Sequence, residues 1–108
     1  MEITHELLKE IRTIALESYK EFWGNQKSDY ITKEIENFPK KFTFHPGKVY
    51  IKIMSSSGIF GFIVNVHNHK KFKYGDLLYA GGPTPTVNFK RGSIFDLKNA
   101  RIRWTGFF

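Results

Sequence analysis

The sequence predicts an α+β domain. An N-terminal amphipathic helix and a short second helix pack on a small curled antiparallel sheet, or a partly open β-barrel, of about five strands. Three observations predict it. Apolar residues recur at three- and four-residue steps through positions 3–23 and change to a two-residue period from position 41. Acidic residues gather in the first forty positions, while Gly, Pro, Ser and Asn punctuate the remainder at short intervals. The chain of 108 residues fits one domain, with 1–40 helical and acidic and 41–108 β-rich and basic.

The first helix rests on Ile3, Leu7, Leu8, Ile11, Ile14, Ala15, Tyr19, Phe22 and Trp23, which share one face, with charged residues between them. Thr4 is its expected N-cap, and Gly24-Asn25 supplies the stop. In "KSDYITKEIENFPK", Ser28 caps a second helix whose stripe is Ile31, Ile35 and Phe38. Pro39 ends it, because the residue before proline is pushed out of the helical region.

"HPG" at 45–47 then reads as a turn, and "KVYIKIM" as a strand alternating Val49, Ile51 and Ile53 with Lys48, Tyr50 and Lys52. "SSSG" at 55–58 is a hairpin connection. "IFGFIVNV" is apolar on both faces, as a central strand is, and Gly61 marks a bulge or a close approach. "HNHKK" at 67–71 reads as a polar turn, and "KFKYGDLLYA" as strand, Gly75-Asp76 bend and strand. Residues 80–88 form a constrained loop rich in Gly and Pro that shapes the domain, followed by an Arg91-Gly92 corner. "GSIFD" and "ARIRWTG" supply the last strands, with Ala100, Ile102 and Trp104 alternating against Arg101, Arg103 and Thr105.

Composition narrows the function. Aromatics make up 17 % of the chain, eleven of them Phe, so Phe dominates the expected core. Cysteine is absent, which excludes disulfides, thiolate metal sites and Cys nucleophiles. "MEITHELLKE" is acidic and amphipathic, unlike a signal peptide, and the apolar run near 59–66 is too short to span a bilayer. A protein neither secreted nor membrane-spanning is expected.

Catalytic constellations are sparse. Asp76 and Asp96 are the only acids of the β-rich part, and an Asp after Gly or at a strand end commonly serves a turn. Ser55–Ser57, His67 and Asp76 could be composed into a triad, but no nucleophile elbow or phosphate-binding glycine pattern accompanies them. His67 and His69, with His45, invite a metal reading that the neighbouring Lys70 and Lys71 oppose. The expectation is therefore a non-enzymatic protein with no cofactor.

Charge is the stronger signal. The net +7 divides into −2 over residues 1–40 and +9 over 41–108, as in a protein that faces a polyanion. Candidate nucleic-acid-binding residues are Lys70, Lys71, Lys73, Lys90, Arg91, Arg101 and Arg103, with Tyr74 and Tyr79 to stack or pack. Cations beside accessible aromatic rings on a β surface are how sequence-tolerant proteins hold single strands: charge tracks phosphates while rings stack bases. The bland alternative is that the tyrosines are half-buried and the cations only blunt sheet edges. A rival from another class is a structural or protein-interaction module. Its acidic helix face and basic sheet would pack together in an assembly or capture an acidic host protein, and two exposed residues, Phe107 and Phe108, would seek a partner.

One stretch carries a resemblance. In "KFKYGDLLYAGGPTPTVNFKRGSIFD…RIRWTG", the order Phe72, Lys73, Gly75, Asp76, Ala80, Pro85, Asn88, Arg91, Gly92, Asp96 and Trp104-Thr105-Gly106 is distinctive, with "GKVYIKI" and "FGFIV" upstream. It resembles a type of small uncharacterised protein of tailed phages and large DNA viruses, over roughly residues 47–106. The resemblance implies a viral accessory or virion protein in the host cytoplasm or the virion. It implies no activity.

Overall fold

The computed structural model describes residues 2–83, 85 and 90–108. Helix α1 (His5–Trp23) opens on Thr4, whose hydroxyl accepts from the Leu7 amide, and closes on Gly24 at φ 61°. Helix α2 (Asp29–Asn37) opens on Ser28, whose hydroxyl accepts from the Ile31 amide. A 3-10 turn at Pro39–Lys41 then leads into the sheet. Both caps and both helices stand where the sequence places them.

The sheet is an antiparallel meander of five strands in chain order: β1 (Thr43–Pro46), β2 (Tyr50–Ser55), β3 (Gly58–Val64), β4 (Asp76–Leu78) and β5 (Gly92–Ser93). A separate two-stranded hairpin, β6 (Ile102–Arg103) and β7 (Gly106–Phe107), follows. The result is the expected α+β arrangement, with the helices packed on a five-stranded antiparallel sheet.

Several boundaries differ from expectation. "HPG" is not only a turn, since His45 and Pro46 end β1, an edge strand that tolerates a proline without an amide to donate. Val49 lies outside β2 and is 41 % exposed. The segment before Gly75-Asp76 is irregular rather than a strand. "GSIFD" yields two strand residues and then a 3-10 segment at Ile94–Asn99. "ARIRWTG" is a hairpin rather than one strand, because its chain reverses at Trp104-Thr105.

Strand β3 is buried on both faces, and the two faces belong to different cores. On one side Phe60 and Ile63 join Ile11, Ala15 and Tyr19 of α1, Phe38, Phe42, Ile51, Ile53, Leu77, Ile94 and Phe107. On the other, Phe62 and Val64 join Leu78 and Phe72. Strict alternation would not give this division. A register shift opposite Ile53/Met54 sets Ile53 against Gly61 and Met54 against Ile59, leaving Phe60 as the extra residue of a bulge. Gly61 then lies under the ring of Phe107, and a Cβ there would run into that ring.

Tyr19 ties the two helices to this core. Its ring lies 4.8 Å from Phe38 and 5.1 Å from Trp104, and its hydroxyl donates to Glu34 Oε2 at 3.3 Å. Burial raises its pKa above the ordinary 10.0, and the Glu34 carboxylate adds to the rise.

Gly61→Ala is expected to destabilise the fold by about 1–3 kcal/mol, since the Phe107 ring is itself buried and must be displaced. Urea denaturation checks this. Tyr19 gives a pH expectation. Its folded-state pKa is raised, so its contribution is complete below about pH 10 and is lost as pH rises through the folded value. Tyr19→Phe should flatten the alkaline limb of stability against pH, with an unchanged slope below pH 9 or so.

Candidate nucleic-acid interface

The expected cations fall into two groups joined by one acid. Lys70, Lys71 and Lys73 are exposed on the irregular segment between β3 and β4. Phe72, among them, turns inward to the second core, and the Lys71 ammonium lies 5.9 Å from the centroid of its ring. His69 shapes this segment. Its Nδ1 accepts from the Lys71 and Phe72 amides at 3.1 Å each, while Nε2 is 3.0 Å from the Tyr50 hydroxyl. His67 stacks on Tyr74 at 4.1 Å, and His45 bonds with Thr43, so the three histidines are engaged separately.

Tyr74 packs rather than standing open. Its ring contacts His67 and Phe95, and its hydroxyl accepts from the Ile3 amide and donates to Glu2. Tyr79 is 44 % exposed, and the Arg91 guanidinium sits 5.4 Å from its ring centroid.

The second group follows β5 and the C-terminal hairpin. The Arg91 amide donates to Leu77 O, the Arg101 amide to Arg91 O, and the Phe108 amide to Arg101 O. These bonds place Arg91, Arg101 and Phe108 on neighbouring backbone. Arg101 and Arg103 are exposed on either side of half-buried Ile102. The Arg103 guanidinium lies 3.8 Å from the centroid of Phe108, which is 43 % exposed. Two rings, Tyr79 and Phe108, thus each carry an arginine, and Arg101 lies between the two pairs along the bonded backbone. Gly92 makes the corner possible. Its φ is 141°, and a Cβ would approach the Ala100 Cα to 2.8 Å.

Asp76 links the groups. It is 3 % exposed, its Oδ2 accepts from the Lys73 amide at 2.9 Å, and its Oδ1 lies 3.6 Å from the Lys90 ammonium. This is the turn role its place after Gly75 suggests, with an ion pair added. Asp96 is exposed and accepts from the Asn99 side chain. The loop expected at 80–88 is described in part. Ala80 pairs with Pro85 across an antiparallel bridge, while residues 84 and 86–88 lie outside the described residues.

The C-terminal pair departs from expectation. Phe107 is 1 % exposed and belongs to the main core, so only Phe108 reaches solvent. Signals the sequence reading missed lie at the end of α1. Phe22, expected on the buried face, is 57 % exposed, and Tyr30 is 64 % exposed. Ile14 likewise lines an open groove of about 470 Å³ with Thr13, Glu17, Ser18, Glu21, Ile102, Arg103 and Phe108. Among the described residues no helix is long and apolar enough to cross a membrane. No family model matches the chain, and no curated protein or solved structure is significantly similar to it.

Asp76→Ala should lower stability by about 1–3 kcal/mol, because the Lys73 amide loses its acceptor. Lys90→Ala should cost less than about 1 kcal/mol, its ammonium being half in solvent. Paired urea titrations of the two variants check the contrast.

Proposed function

We propose that the protein is a small non-enzymatic viral accessory or virion protein that binds nucleic acid through phosphate contacts made by its basic β surface. The observation that carries this is the pair of arginine-capped, exposed rings, Tyr79 with Arg91 and Phe108 with Arg103, bracketing Arg101. Guanidinium groups held beside rings are partly pre-oriented, so less side-chain freedom is lost when a phosphate is bound. Lys90 adds charge where the chain re-enters the sheet, and Lys70, Lys71 and Lys73 extend it beyond Asp76. The +9 balance of residues 41–108 supports a polyanion as the partner. The viral setting rests on the resemblance of residues 47–106.

A second reading, a structural or protein-interaction module, keeps one favourable observation. Phe22 and Tyr30 leave apolar surface in solvent on the acidic helical side.

The test is titration of labelled DNA and RNA, single- and double-stranded, at two salt concentrations. Affinity should fall steeply with salt, as counterion release requires. Arg101→Ala and Arg103→Ala should each lower the slope of log K against log salt by about one phosphate contact. Lys33→Ala, on α2, should leave it unchanged. Absence of binding at low salt overturns the proposal.

A further inference from the structure

Phe22 is the least expected surface residue of the fold. It lies in the last turn of α1, more than half exposed, with its ring 4.8 Å from Trp104 at an interplanar angle of 47°. Trp104 is fixed from behind. Its amide donates to Ser18 Oγ at 3.0 Å, and its ring packs 5.1 Å from buried Tyr19. Trp23 meets Phe22 edge-on at 5.2 Å and Tyr30 at 6.3 Å, so the exposed rings of Phe22 and Tyr30 are joined through half-buried Trp23 and backed by half-buried Trp104. Scattered exposed phenylalanines are ordinary, but a rigid cluster of rings is a surface with a use.

The setting selects its occupant. Trp104 directly follows Arg103 in the turn of the C-terminal hairpin, so the ring cluster continues the line from Tyr79 through Arg91, Arg101 and Arg103. A ligand that suits both parts is anionic along its length and carries flat, apolar-faced groups at intervals. Nucleic acid has that chemistry only when its bases are unpaired, because in a duplex the base faces are already stacked on one another. Glu17 and Glu21, on the α1 wall of the groove beside Arg103, repel phosphates. The sugar–phosphate chain is thereby confined to the arginine side of the hairpin, and bases reach across it towards Phe22.

We infer that the ligand is single-stranded nucleic acid and that Phe22, supported by Trp104, is a base-stacking platform at the end of the arginine track. The inference rests on the proposed nucleic-acid function and specifies its ligand.

The experiment uses the full chain and oligonucleotides of about a dozen nucleotides, single-stranded or as a duplex of equal length, at low salt. Single strands should bind about tenfold or more tighter than the duplex and quench tryptophan fluorescence. Phe22→Ala should weaken single-strand binding about tenfold, as expected for one stacked base, and leave duplex binding unchanged. Its thermal melt should match the parent, and Phe22→Tyr should restore affinity. If Phe22→Ala binds single strands as the parent does while Arg101→Ala and Arg103→Ala still weaken binding, the platform is overturned and the phosphate-binding function stands. If neither strand form binds the parent, both fail together. Self-association seen by light scattering and abolished by Phe22→Ala would assign the rings to a protein contact and overturn the inference.

Discussion

Burial of β3 on both faces is the constraint from which the rest of the structure follows. A strand with Phe60 and Ile63 on one side and Phe62 and Val64 on the other needs cover from two directions. Helix α1 covers the first. The second receives Phe72, carried on the irregular segment between β3 and β4, with Val66 and Ala80 at its margin. The bulge at Phe60 allows both sets to face their cores, and it turns Gly61 towards the main core, where Phe107 fills the space a side chain would take. The C-terminal hairpin is therefore held to the sheet by a ring lodged on a glycine. On its other side it is held to α1 by Ser18 and Tyr19. Every exposed arginine of the hairpin inherits its position from those contacts.

The helices were legible because their signals are local. Thr4 and Ser28 cap where a hydroxyl precedes an apolar stripe, and Gly24 stops what it follows. Pro39 does not act as expected: Phe38 before it keeps helical angles, φ −55° and ψ −53°, and Pro39 opens a 3-10 turn instead. The two-faced strand and the hairpin at "SSSG" were legible for the same reason. Segments dictated by distant contacts were not. The "KFKY" of residues 71–74 alternates in hydrophobicity well enough to resemble a strand, yet His69 gathers the Lys71 and Phe72 amides and bends the chain. "ARIRWTG" alternates too, but β6 ends where Trp104 is drawn onto α1 and its amide is taken by Ser18, eighty-six positions away in sequence. A period of two reports which way side chains point, not where the chain reverses.

The candidate site was legible in its charges and illegible in its rings. Lys and Arg are seldom fully buried, so their chemistry can be read with little knowledge of their neighbours, although Arg12 and Arg91 are half-buried here. Aromatic residues are ambiguous. Tyr74, offered as a possible stacking residue, packs between His67 and Phe95. Phe22, on the apolar stripe of α1, faces solvent because Tyr19 and Trp23 already occupy the space beneath it and Trp104 flanks it. Phe107 and Phe108 are adjacent and chemically identical, yet one is core and the other surface. Strand alternation predicts that one of such a pair is buried, but only the glycine at position 61 decides which.

Asp76 is the acid that meets the positive charge of residues 41–108 at the start of β4. Only one other acid occurs after residue 40, and that one, Asp96, is exposed. Asp76 is buried at the start of β4, where it receives the Lys73 amide on one oxygen and faces the Lys90 ammonium with the other. A buried carboxylate acts through a less screened medium than a surface one, so a single group relieves repulsion between the two lysine-bearing segments at their junction. Nothing comparable pairs with Arg101 or Arg103 among the described acids, and Arg103 instead rests on Phe108. Charge is thus paired at the start of β4, while Arg101 and Arg103 of the separate hairpin have no acid partner among the described residues.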